Sequence, residues 1–145
     1  MTKNTVHLPS EIESFDHKSK LGYLSLKAFF RICEDWEIGL PEQCKLLNVG
    51  LIDLQPLRTL PAQHLSREQL VRVRCLVMIY KVLMRKHGSI SEARGELRSS
   101  RDEAPFKGKT PLKLMLSEGV VGIADACNAL TGGAPEVSSY LSKAS

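Results

Sequence analysis

The side chains best able to do chemistry in this sequence are four histidines, four cysteines and one dense acidic cluster. His7, His17, His64 and His87 form no H-E-x-x-H, have no cysteine at ligand spacing and show no evident carboxylate to orient a ring. Neither a zinc site nor a nucleophile–base–acid triad can be assembled from them, and each reads as a surface or helix-end residue. Cys33, Cys44, Cys75 and Cys127 lie far apart, form no C-x-x-C and sit in apolar helical patterns, which predicts buried free thiols rather than a disulfide or zinc framework. Glu34, Asp35 and Glu37 flank Trp36, and carboxylates this close can act as paired acid and base. A charged helix end facing water accounts for them more simply. Gly132-Gly133 lacks the Lys-Ser of a phosphate loop, no G-x-G-x-x-G occurs, and a helix C-cap is reason enough for the pair. With no convergent nucleophile, base or metal set, the sequence reads as a non-catalytic protein that needs no cofactor.

The elements that carry these residues are helical. At 145 residues, with 43% apolar and 25% charged side chains, the composition is that of an ordinary folded protein of one domain or two very small ones. The N-terminal stretch has no apolar h-region behind a basic n-region, and nowhere do about 18 apolar residues run together, so the expectation is a cytoplasmic protein with no membrane contact. The net charge of +4 is uneven. Between Ser66 and Arg101 nine Lys and Arg face three Glu, whereas the rest of the chain holds 11 basic and 13 acidic residues. The middle of the chain therefore carries the positive field, suited to nucleic acid or an acidic protein surface, or simply to a solvated face.

Residues 1–20 are polar and without period, and read as a lead-in of no assigned function. From Leu21 to Trp36 apolar residues recur at steps of three or four, the spacing of one helix face. Pro41 suits the first turn of a short helix ending at Asn48 and Gly50, and a second short helix is expected from about Asp53, with Pro56 in its first turn, to before Pro61. Two short helices joined by a tight turn make a helix-turn-helix candidate. Ser66 and Gln69 form a capping-box pattern opening the strongest helix, whose centre, Cys75 to Tyr80, is apolar on every face and must be enclosed; Arg85, Lys86, His87 and Gly88 end it. Ser89 or Ser91 can cap a further helix through Leu97, after which the chain loosens. Thr110 and Pro111 then start a helix ended by Gly119, and a last one runs from about Val120 to Leu130. No segment alternates with period two for long enough to form a sheet, so the fold class is all-α, with about seven helices.

Several of these features, taken together, match a known family. The IYKVLMRKHG helix, the A-x-x-x-L of Ala93 and Leu97, the F-x-G-x-T-P-L-x-x-M from Phe106 to Met115 and the L-x-G-G from Leu130 to Gly133 resemble the toxin-binding domain of the Xre/MbcA/ParS antitoxins. Upstream, AFFRICEDWEIGLPEQCKLLNV and LSREQLVRVRCLVMIYKVL resemble the Xre-like helix-turn-helix that precedes that domain, so the likeness covers about residues 21–133. It implies residues 21–88 as a helix-turn-helix and dimerisation domain and 89–133 as a toxin-binding domain; the polar residues 1–20 read as a flexible segment and 134–145 as a tail.

The resemblance also implies the function: the antitoxin of a type II toxin–antitoxin pair, binding and blocking a RES-domain toxin that degrades NAD. The dinucleotide would belong to the partner. Toxin contact is expected at Phe106, Lys107, Gly108, Lys109, Thr110, Pro111 and Lys113, and at Tyr140 in the tail. Phe106 can equally close a loop onto the core, Pro111 start a helix and Gly108 permit a positive φ, which leaves direct contact to the lysines and the tail. A homodimer and autorepression through operator DNA are further implications, with Lys45, Gln55, Arg58 and Thr59 as DNA-facing candidates. Arg58 suits guanine and Gln55 adenine, but Pro56 lies between them and Asp53 repels phosphate, so the helix pair could instead serve as a dimer interface. A stand-alone helix-turn-helix transcriptional regulator is the alternative function.

Overall fold

The chain folds as an all-α protein. In a computed structural model, residues 17–59 and 64–132 are described, and these contain seven helices and no strand. In chain order they are α1 His17–Asp35, α2 Leu40–Leu47, α3 Leu51–Thr59, α4 Arg67–His87, α5 Ile90–Leu97, α6 Pro111–Ser117 and α7 Gly119–Thr131. None is long and apolar enough to cross a membrane.

Local chemistry sets most of the boundaries. Ser66 accepts from the Gln69 N–H at 3.0 Å while the Gln69 side chain accepts from the Ser66 N–H at 2.9 Å, a reciprocal capping box. Gly88 closes α4 at φ 76°, a left-handed turn only glycine enters without strain, and its N–H returns to the Met84 carbonyl. Ser89 and Thr110 cap α5 and α6 through the Glu92 and Lys113 N–H groups, and Gly132 ends α7.

Two boundaries differ from the sequence expectation. Within the described residues helix α1 already includes residues 17–20, part of the stretch read as a lead-in; there Ser19 is buried and its hydroxyl lies 2.9 Å from His64 Nε2, a tertiary contact that periodicity cannot register. Helix α3 begins at Leu51, which puts Pro56 in its interior rather than its first turn. There the proline removes one backbone hydrogen bond, and only Leu54 of that helix is buried.

A continuous core runs from Leu26 and Phe29 on α1, through Trp36, Leu46, Leu47 and Leu54, to Leu76, Ile79 and Leu83 on α4 and Met115, Ile123 and Cys127 near the C-terminus. Helix α4 is its spine, packing against α1, α2, α5 and α7. The expected complete enclosure of its centre is only partial: Cys75, Leu76 and Ile79 are buried, but Val77 and Met78 line a cleft of about 670 Å³ between α1 and α4. At its N-terminal end Arg72, 5% exposed, donates to the Lys45 and Leu46 carbonyls at 3.0 and 3.2 Å and pairs with Glu68 at 3.2 Å. Its guanidinium thereby satisfies the open carbonyls at the C-terminal end of α2. The cysteines are free, with Cys33, Cys75 and Cys127 buried and Cys44 partly exposed. Burial pushes the Cys33 thiol up to about 12.

Candidate partner-binding site

The loop joining α5 to α6 holds most of the residues singled out for partner contact. Its first part, residues 99–105, is expected from sequence to be loose, yet backbone hydrogen bonds tie Arg101 and Glu103 to the residues around Phe106. The Gly108 N–H donates to the Arg101 carbonyl at 2.7 Å, the Arg101 N–H to the Lys109 carbonyl at 3.2 Å and the Phe106 N–H to the Glu103 carbonyl at 2.9 Å. Lys107 and Gly108 adopt φ of 50° and 93°, and at Gly108 nothing would obstruct an added Cβ, so the demand for glycine there is one of backbone conformation. This geometry turns Phe106 inward. It is 1% exposed, and the Arg101 guanidinium lies 5.0 Å from its ring centroid.

The motif residues divide into two groups. Phe106 and Pro111 are buried, and Thr110 spends its hydroxyl on the Lys113 N–H at 3.0 Å. Lys107 and Lys113 are exposed, while Lys109 is half-buried with its ammonium 3.4 Å from Glu118. The first group forms a platform and the second is presented on it. Tyr140 lies outside the described residues.

Beneath the loop, Glu96 is a hub. Its carboxylate meets His87 Nε2 at 2.6 Å, Lys86 at 3.0 Å and Arg101 at 3.1 Å. His87 therefore does have a carboxylate partner, contrary to the sequence expectation, because the α4–α5 turn folds Glu96 back onto it. Burial pushes the Glu96 carboxyl up, but the hydrogen bonds and charges of His87 and Lys86 outweigh it and hold the group below its ordinary value. Asp35 departs from expectation in the same way: its side chain is 10% exposed and accepts from Arg31 at 3.1 Å and from the Tyr80 hydroxyl at 2.6 Å, so it does not face water. The Asp35 hydrogen bond, with burial and the carboxylate charge adding to it, raises the Tyr80 phenol.

No protein-family model, curated protein or solved structure matches this chain. The likeness to antitoxins accordingly rests on the sequence motifs alone.

The DNA-facing candidates are distributed differently over α2 and α3. Arg58 donates to Gln43 Oε1 at 2.5 Å, and its guanidinium carbon sits 4.4 Å from the Phe30 ring centroid. Gln43 in turn donates to the Ile38 carbonyl at 2.8 Å, so Arg58 is held against its own protein. Gln55 and Thr59 are exposed on α3, and so are two apolar residues, Leu51 at 55% and Ile52 at 88%. The positive field of the middle segment is also largely engaged internally. Arg72 is buried, Arg94 reaches the Asp35 carbonyl and Glu37, Arg98 reaches the Trp36 and Glu37 carbonyls, and Lys86 and Arg101 pair with Glu96.

Lys45 stands apart from the other α3-side candidates. Helix α2 packs against α6, and between them lies a cleft of about 440 Å³ lined by Lys45, Arg98, Thr110, Lys113 and the α6 side chains Leu112, Leu116 and Ser117. Residues assigned from sequence to separate DNA and protein surfaces thus line one cleft. Arg98, Leu112 and Leu116 were not singled out beforehand. Leu112 belonged to the motif, but only the packing of α2 on α6 makes these three neighbours of Lys45.

Proposed function

We propose that this chain is an antitoxin, a non-catalytic helical protein that binds and covers a RES-domain enzyme which degrades NAD. The observation that carries this reading is the division within the Phe106–Lys113 segment. Its aromatic and proline are buried while Lys107, on a hydrogen-bonded loop, and Lys113, on the first turn of α6, are exposed, as a rigid surface for another protein requires. NAD belongs to the partner in this scheme, and the chain itself acts in the cytoplasm without a cofactor.

A role for the α2–α3 helix-turn-helix accompanies it. The exposure of Leu51 and Ile52, with Arg58 bound to Gln43 and stacked on Phe30, favours self-association through this face over reading of base edges. A stand-alone transcriptional regulator, the competing function, would need this face for operator DNA.

Coexpression with a RES-domain protein encoded beside this chain's gene tests the proposal. The pair should co-elute on size exclusion, and an equimolar amount of the chain should abolish the enzyme's NAD consumption. Undiminished NAD consumption removes the antitoxin reading. Tight operator binding in a gel shift, weakening on the order of tenfold or more between about 50 and 200 mM salt, would favour the regulator instead.

A further inference from the structure

We infer that the cleft between α2 and α6 receives an acidic segment of the partner protein, an apolar side chain flanked by carboxylates, and so couples the two ends of the fold to one binding event. This deepens the antitoxin reading and rests on it. The cleft has an apolar floor, Leu112 and Leu116, and cations at its edge, Lys45, Arg98 and Lys113, with no carboxylate among its lining residues. Lys45 and Lys113 are exposed and form no ion pair among the described residues. That sets them apart from Lys86, Arg94, Arg101 and Lys109, whose charges are met within the protein. Arg98 is positioned in advance, because its Nη2 donates to the carbonyl oxygens of Trp36 and Glu37 at the end of α1. A fixed guanidinium loses little freedom on engaging a carboxylate.

Charge complementarity selects the occupant. Unmatched cations around an apolar floor suit a ligand that brings negative charge and a hydrocarbon side chain together. A nucleic-acid backbone brings charge but would leave Leu112 and Leu116 uncovered. The placement matters too: α2 contributes Lys45 from the first half of the sequence and α6 contributes Lys113 and Leu116 from the second, and the two helices pack directly on each other. A segment seated here bears on both.

The RES-domain partner itself is the probe. The wild-type chain, Lys45→Glu, Lys113→Glu, the double variant Lys45→Glu/Lys113→Glu and a control reversal at the exposed Lys27, which is not among the cleft's lining residues, are titrated against it by calorimetry and assayed for suppression of NAD consumption. Each single reversal is expected to weaken binding several-fold and the double variant about tenfold or more, with a shallower salt dependence, while Lys27→Glu stays within about twofold of wild type. In high salt, where the charges are screened, Leu116→Gln should weaken the remaining binding further; an unchanged affinity there, with thermal melting showing the fold intact, removes the apolar anchor. If the wild-type chain binds and the double variant binds equally well, the cleft is not the docking site and the inference falls alone. If the wild-type chain does not bind at all, the antitoxin reading falls and takes the inference with it. If the double variant loses operator DNA in a gel shift while keeping the protein partner, the cleft serves phosphate and the inference is overturned.

Discussion

The α3 face and the α5–α6 loop invert each other. On α3 the cation nominated for contact, Arg58, is bound to Gln43 and stacked on Phe30, and the exposed residues of the helix include two large apolar ones, Leu51 and Ile52. On the loop the aromatic, Phe106, is folded inward, and Lys107 beside it is exposed, as is Lys113 on the α6 turn that follows. Residue type alone therefore does not tell which side chains meet a partner. An arginine beside an aromatic ring can be intramolecular packing, and a motif phenylalanine can be a fastening rather than a contact. The α3 face exposes apolar surface, whereas the loop exposes charged residues.

The most severe test removes the fastening. Phe106→Ala should cost about 3–5 kcal/mol, the usual range for emptying a fully buried aromatic site, and urea unfolding followed by circular dichroism measures it. It should also raise hydrogen exchange at the Gly108 and Lys109 amides, because the ring holds the loop whose backbone bonds those groups make. A loss below about 1 kcal/mol would mean that the loop keeps its shape without Phe106, and the contrast with α3 would lose one of its sides.

What could be foreseen from the sequence divides along a physical line. Features decided within one helical turn were legible: the Ser66–Gln69 capping box, the Thr110 cap, the Ser89 cap as one of two serines offered, the Gly88 and Gly132 stops, and the helix of α1 with Phe29 and Ile32 on its buried face, though Leu21 of the expected stripe is exposed. The caps and stops depend on neighbours a few positions away, and the stripe on a period within one element. Features decided by distant partners were not legible. His87 gained Glu96, Asp35 gained Tyr80, Arg72 was drawn under α2 and Lys45 came to share a cleft with Lys113. Nothing in local spacing distinguishes an arginine bound for a buried carbonyl from one bound for solvent, which is why the middle segment read as a positive field. The Phe106–Met115 motif lies between the two cases: its spacing marked the right segment, but the sequence left open which of its residues would face outward.

Glu96 offers a milder test, one that touches the loop and not α3. Its folded carboxyl lies below the ordinary value of 4.5, so its contribution to stability is fully present above that value and is lost as pH falls through the lower, folded one. Urea midpoints taken between about pH 6 and pH 3 should fall for the wild-type chain, and the fall should be smaller in Glu96→Gln, which cannot exchange that proton. Equal slopes in the two proteins would show that the His87–Lys86–Arg101 hub does not stabilise the fold.

The smallest change in stability belongs to the α3 face, where the expected effect lies in assembly. Ile52 is 88% exposed, so Ile52→Glu removes almost no buried surface and should shift the unfolding free energy by no more than about 0.5 kcal/mol. A large apolar side chain this open, beside Leu51 and on a helix that buries only Leu54, has little role within its own subunit. If the face joins two copies of the chain, a glutamate there places a desolvated charge opposite apolar surface, and sedimentation should show the variant as a monomer at concentrations where the wild-type chain is a dimer. The same variant separates the two surfaces: suppression of a RES-domain partner should survive in the monomer, because the loop and the α2–α6 cleft lie on other elements. A monomer that fails to bind the partner would mean that the binding surface is completed across the dimer. A wild-type chain that is already monomeric, yet loses operator DNA on Ile52→Glu, would return α3 to nucleic-acid contact despite the engagement of Arg58.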